Sequence, residues 1–184
     1  VFAPSPDGKD IRFGLAAIKG VGEIAVESIL KARQAGGSFK SLLDVCERVD
    51  TRTVNRKVLE ALIKSGACDS LNETRATLFG QTERSLTRAA NTAQDKARGQ
   101  TSLFGLLETK EAPMPETIAK MPEWPLNERL AAEKELLGFY VTGHPLDPFK
   151  PLLDSYSLAT TSTLAGLENR SMTRIGGMLG AVQQ

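Results

Sequence analysis

The residues with the most specific chemistry are Lys19, Gly20, Val21 and Gly22, within Ile18-Lys19-Gly20-Val21-Gly22-Glu23-Ile24-Ala25. Two glycines flanking one apolar residue allow a sharp turn and let the backbone approach a ligand with no Cβ in the way. A helix that begins straight after such a turn aims its unpaired N–H groups, and the positive end of its dipole, at whatever occupies the turn. Lys19 adds a point charge beside it. This arrangement suits a phosphate group, and nothing in it reads a base. The same glycines would also let two helices pack closely, so the turn alone leaves both readings open.

A weaker copy lies in Leu59 to Leu71, where Lys64, Ser65 and Gly66 lead into Ala67. It holds one glycine, so it reads either as a second phosphate contact or as a structural mate of the first turn. Arg52, Arg56 and Lys57 precede it on a polar face, which serves equally as a solvated helix surface. His144 is the sole histidine, which excludes a histidine triad or a multi-histidine metal site within this chain. In Gly-His-Pro-Leu-Asp-Pro it is expected to stabilise a turn. Trp124, between Glu123 and Pro125, is expected to anchor packing.

The elements that must position these groups are mostly helical. Glu23 to Gln34 carries Ala25, Ile29, Leu30 and Arg33 at helical spacing, and Gly36-Gly37 ends it. Ser38 is the expected cap of a short helix holding Leu42, Leu43 and Val45. Val54 to Lys64 reads as an amphipathic helix with Val58, Leu59, Leu62 and Ile63, stopped by Ser65-Gly66. Asn72 is the expected cap of a helix from Glu73 to about Lys96. From Gly99 to Pro125, prolines, glycines and charges surround the apolar islands Leu103-Phe104 and Leu106-Leu107, the pattern of a linker with something embedded in it. Leu126 to Gly138 predicts a helix in which Glu128 and Glu133 alternate with Arg129 and Lys134. Met172 to Val182 predicts a glycine-containing β-strand.

Composition narrows the class. The chain has 184 residues, 41% of them hydrophobic, with 23 Lys and Arg against 22 Asp and Glu. A core is affordable, and any nucleic-acid surface must be local because the net charge is +1. Cys46 and Cys68 lack metal-ligand spacing and read as buried free thiols of a reduced compartment. No apolar run approaches a membrane span and no signal peptide is visible, so no membrane partner and a cytoplasmic location are expected. A first residue of Val rather than Met fits a piece of a longer chain.

The hairpin residues match the helix-hairpin-helix pattern, and a wider resemblance follows from three stretches. IRFGLAAIKGVGEIAVESILKAR, GGSFKSLLDVCERVD and VNRKVLEALIKSGACDSL resemble the region after the polymerase core of bacterial DNA polymerase III alpha subunits. PEWPLNERLAAEKELLGFYVTGHPLDPF resembles the segment just before the oligonucleotide-binding (OB) domain of the same proteins. The resemblance implies a mainly α fold: a tandem helix-hairpin-helix module over 1–72 and a helical extension over 73–98. After these come a linker over 99–125, a helix-and-turn connection over 126–163, and the truncated start of a β OB domain over 164–184. It implies double-stranded DNA as partner, with contacts from Lys19, Gly20, Val21, Gly22, Arg56, Lys57, Lys64, Ser65 and Gly66. It also implies that the polymerase's catalytic aspartates and Mg2+ belong upstream, with no cofactor and no catalytic residue in this segment.

The resemblance gives the embedded island a meaning too. Gln100-Thr101-Ser102-Leu103-Phe104 looks like the internal peptide with which such polymerases grip the sliding clamp. Gln100 would meet a polar subsite, and Leu103 and Phe104 an apolar pocket. Thr101 stands where a leucine is often found, which implies weaker binding. Other replicase subunits would be partners through the full-length protein. The residues leave two rival classes open. One is a helix-hairpin-helix repair enzyme, whose catalytic aspartate would be Asp44 or Asp50, although no base pocket or partner lysine is evident. The other is a connector with no ligand.

Overall fold

Helices dominate the described residues of the computed structural model, which are 2–5, 7–9, 11–97, 120–157 and 159–180. The chain opens on two short antiparallel strands, β1 (Ala3–Pro4) and β2 (Ile11–Arg12), in the register Ala3 to Arg12 and Pro4 to Ile11. The sequence pattern did not suggest this pair. A 3-10 turn at Leu15–Ala17 then leads to α1 (Glu23–Gly36), α2 (Leu42–Arg48) and α3 (Arg56–Lys64). A second 3-10 turn, Asp69–Leu71, precedes α4 (Arg75–Ala97), and α5 (Leu126–Leu137) follows.

Local chemistry explains where these helices start. Gly37, at φ 73°, ends α1 and sends the chain on extended, so the cap of α2 falls on Ser41 and not on the expected Ser38. The Ser41 hydroxyl accepts from the Asp44 amide at 3.1 Å, and Asn55 caps α3 by accepting from the Val58 amide at 3.2 Å. Asn72, the expected cap of α4, instead holds a left-handed turn at φ 58°, a conformation that asparagine tolerates. The cap is Thr74, whose hydroxyl accepts from the Thr77 amide at 3.1 Å.

The core centres on α3. Leu59 and Ile63 are fully buried with Val54, and α3 packs against both α4 and α5. α2 lies along α4 and contributes Leu42, Val45 and Cys46. α1 buries Ala25, Ile29 and Ala32, the i, i+4, i+7 stripe of one face. Leu30, expected on that face, is 48% exposed. Cys46 and Cys68 are free, as expected, and burial pushes their thiols up to about 11 and about 12.

Backbone contacts divide the chain into two units, Val1–Tyr140 and Val141–Gln184. The first joins the hairpins, the helical extension and α5. The second holds a 3-10 turn at Asp147–Phe149, α6 (Lys150–Tyr156) and a 3-10 turn at Leu164–Gly166. His144 stabilises a turn there: its amide donates to Asp147 Oδ2 at 2.6 Å and its Nδ1 accepts from the Leu146 amide at 3.1 Å. The strand expected at Met172–Val182 is not formed over residues 171–180. A strand needs a ladder partner. Here the Ala159 amide donates to the Arg174 carbonyl at 3.2 Å, and no ladder continues from it among the described residues.

Candidate nucleic-acid interface

The turn at Lys19–Gly22 is built from beneath by apolar anchors. Ile18 and Val21 are buried, which leaves Lys19, Gly20 and Gly22 facing outward. The Val21 amide closes the turn onto the Ile18 carbonyl at 3.0 Å. Gly20 takes φ +88°, the left-handed region, so its glycine is demanded by the backbone. Gly22 is different. Its φ of −79° suits any residue, and open space surrounds the position a Cβ would take.

Gly22 is the N-cap of α1 and supplies no side-chain hydrogen bond to the helix. α2 and α3 both have such a cap. The first-turn amides of α1 are therefore without a side-chain cap behind an open glycine turn, with Glu23 as the acidic residue of that turn. Lys19 Nζ stands 3.9 Å from Glu135 on α5, both side chains 71% exposed. Such a pair is worth at most about 1 kcal/mol and is easily exchanged for another anion.

The second turn has a different fate. Ser65 is buried and its hydroxyl donates to the Leu62 carbonyl at 3.0 Å. Gly66 also takes a positive φ, +85°, but a Cβ there would collide with the Arg75 guanidinium. Lys64 lies 5.0 Å from the Phe79 ring centroid, and its carbonyl accepts from Arg75 Nη1 at 3.3 Å. This turn is filled from inside, the arrangement of a packing mate. Arg56 bridges Glu60 at 2.7 Å and Glu83 at 3.1 Å, the first holding its guanidinium above its ordinary value. Lys57 is exposed, with no ion-pair partner among the described residues.

The residues the sequence reading missed surround Arg75, which is 3% exposed. It binds Asp69 through Nε at 2.9 Å and Nη2 at 2.8 Å, and Glu133 through Nη1 at 2.9 Å. Glu133 is 0% exposed, and the acidic–basic pairing expected of its helix gave it no buried partner. A signal was available, because Glu133 shares the i, i+3, i+7 stripe with Leu130 and Leu137. Glu123 accepts from the Arg75, Ala76 and Trp124 amides, so the segment entering α5 caps the start of α4. Met121 adds backbone bonds to Thr74 and Thr77, and Trp124 packs edge-on to Phe79 at 5.4 Å, an anchor as expected.

Asp44 and Asp50 are spent on local structure. Asp44 accepts from the Lys40 amide at 2.9 Å and pairs with Arg48 at 3.0 Å, and Asp50 Oδ1 accepts from the Arg52 amide at 3.0 Å. Among the described residues, no cluster of His, Cys, Asp or Glu is placed to hold a metal ion, and no helix is long and apolar enough to cross a membrane. Gln100, Leu103 and Phe104 lie outside the described residues.

A helix-hairpin-helix family model matches residues 2–78, which contain both turns. DNA polymerase III subunit alpha of Neisseria meningitidis serogroup A is 41% identical over 182 residues, 99% of this chain. The same subunit of Vibrio cholerae is 37% identical over 177 residues, 96% of the chain. The chain belongs to the DNA polymerase III alpha family. The alpha subunit of Escherichia coli K12 is similar as well, at 41% identity over 150 residues. The chain spans about 15% of the length of the first two of these alpha subunits.

Proposed function

We propose that this chain holds duplex DNA by its phosphate backbone, without regard to base sequence, and tethers a polymerase to its sliding clamp. The observation that carries the DNA reading is the start of α1. An outward-facing glycine turn with Lys19 beside it precedes a helix whose N-cap, Gly22, supplies no side-chain hydrogen bond. A phosphate oxygen would supply the missing acceptor and meet the positive end of the helix dipole. Lys19, Gly20, Val21 and Gly22 form this contact, and exposed Lys57 is suited to a neighbouring phosphate. Ser65, Gly66 and Lys64 support the hairpin from within, and Arg56 ties α3 to α4.

The tether is Gln100, Leu103 and Phe104. Its support is the residue pattern and its position in a family-matched chain, just after α4. The 23 residues of α4 carry the backbone about 35 Å from the site at Thr74 and Thr77 where Met121 returns. Linking a weak clamp contact to a weak DNA contact raises both through effective concentration. No reaction step is assigned to these residues, and chain extension with Mg2+ would belong to other parts of a polymerase.

Fluorescence anisotropy with labelled duplexes of unrelated sequence tests the DNA reading. Affinities should agree across sequences and fall with salt, with a log–log slope of about −1 to −2 for one or two neutralised phosphates. A strong preference for one sequence, or no binding at low salt, would sink it.

A further inference from the structure

α5 touches the phosphate-binding turn at its backbone. The Lys19 amide donates to the Leu136 carbonyl at 2.9 Å, in the last turn of α5. Just beyond α5, Phe139 packs edge-on to Phe13 at 5.2 Å, and Phe13 leads into the 3-10 segment before the turn. One helical turn before Leu136, Glu133 is locked to Arg75 at 2.9 Å. Apolar packing is non-directional and allows a helix small slides and rotations. A buried ion pair does not, because a slide of α5 stretches the 2.9 Å contact between two charges held away from water.

We infer that α5 is the positioning element of the phosphate-binding turn, and that Arg75 and Glu133 are positioning residues that fix α5 for that task. The inference rests on the phosphate reading above and adds how the turn is held. Hydrogen bonds to a phosphate lose strength over a few tenths of an ångström, so the first-turn amides of α1 must be placed to that tolerance. The turn's apolar anchors, Ile18 and Val21, set its depth. The bond from Lys19 to Leu136 sets its orientation, and the Arg75–Glu133 pair holds the acceptor in place.

The test is amide hydrogen exchange by NMR with duplex binding by anisotropy, both on the whole chain. Glu133→Gln keeps the side chain's shape and removes its charge. The Lys19 amide should then exchange about tenfold faster relative to the Leu59 and Ile63 amides of the core. Duplex affinity should fall about three- to tenfold, with an unchanged salt slope because the phosphate contacts are the same in number. Phe139→Ala, at a side chain 44% exposed, is the second variant. It should move both readouts the same way if Glu133→Gln fails to fold. A Lys19 amide that stays protected, equal acceleration at all three amides, or local opening without loss of affinity would each overturn the inference. If the unaltered chain binds no duplex, the phosphate reading fails, and the exchange data still decide whether α5 holds the turn.

Discussion

The Arg75 guanidinium occupies the space beside Gly66, whereas the corresponding space beside Gly20 is open. The two turns share a positive φ and differ in what faces them. A graded response to alanine follows. Gly66→Ala combines backbone strain with displacement of a buried cation and should cost about 3–5 kcal/mol. Gly20→Ala should cost only the left-handed strain, about 1–2 kcal/mol. Gly22→Ala, at ordinary φ, should leave stability within about 0.5 kcal/mol while weakening duplex binding. Urea denaturation gives the order. Equal losses at Gly66 and Gly20 would contradict the distinction.

If Lys19 meets a phosphate as proposed, Glu135 competes with DNA for it. Its carboxylate lies 3.9 Å from the ammonium at an exposed site, so the pair contributes little to folding and must be displaced by an incoming phosphate. Glu135→Gln should therefore tighten duplex binding about two- to fivefold at low salt, with the gain fading as screening rises. Anisotropy at two ionic strengths measures this directly. Weaker binding by the variant would show that Glu135 supports the site rather than opposing it.

The hairpin and its helices were legible because their signals are local. Gly20 and the Gly36-Gly37 stop act within a few residues of their place in the chain. Errors arose where neighbouring signals competed or where the decision was made at a distance. Ser41 caps α2 in place of Ser38 because Gly37 redirects the chain first. The buried pairing of Glu133 was not legible because its partner, Arg75, lies 58 positions away. Ser65 and Gly66 left a phosphate contact and a structural mate both open, and only the folded chain places Arg75 beside Gly66. The β1–β2 pair rests on two residues a side, too few for alternation to show.

Acid should release the segment before α5. Burial pushes the Glu123 carboxyl up, but donation from the Arg75, Trp124 and Ala76 amides outweighs it, and the net value lies below the ordinary 4.5. A carboxylate with a lowered folded value stabilises the fold above its unfolded pKa, and that contribution is lost as the pH falls through the folded value. Glu123→Gln should thus lower Tm at pH about 7 by the equivalent of roughly 0.5–2 kcal/mol, as for a lost helix cap. The gap to the unaltered chain should close as the pH falls from above 4.5 through the lowered folded value. Thermal melts across pH give the difference curve, and a gap constant from neutral to acid would show that the charge of Glu123 is irrelevant.

The clamp contact is the prediction furthest from the described residues, and it has the sharpest control. Burying Leu103 and Phe104 contributes about 1.5–3 kcal/mol each before ordering costs, which from burial alone places the contact no tighter than tens of micromolar. Calorimetric titration of the chain with the sliding clamp of the same organism should show binding in that range. Changing Gln100, Leu103 and Phe104 together to alanine should abolish it. Thr101→Leu should strengthen it, since the added apolar side chain restores the residue often found there. Binding by the unaltered chain that survives the triple change would place the contact elsewhere. No binding at all would remove the tether and leave the DNA reading intact, because the phosphate turn and the peptide share no residue.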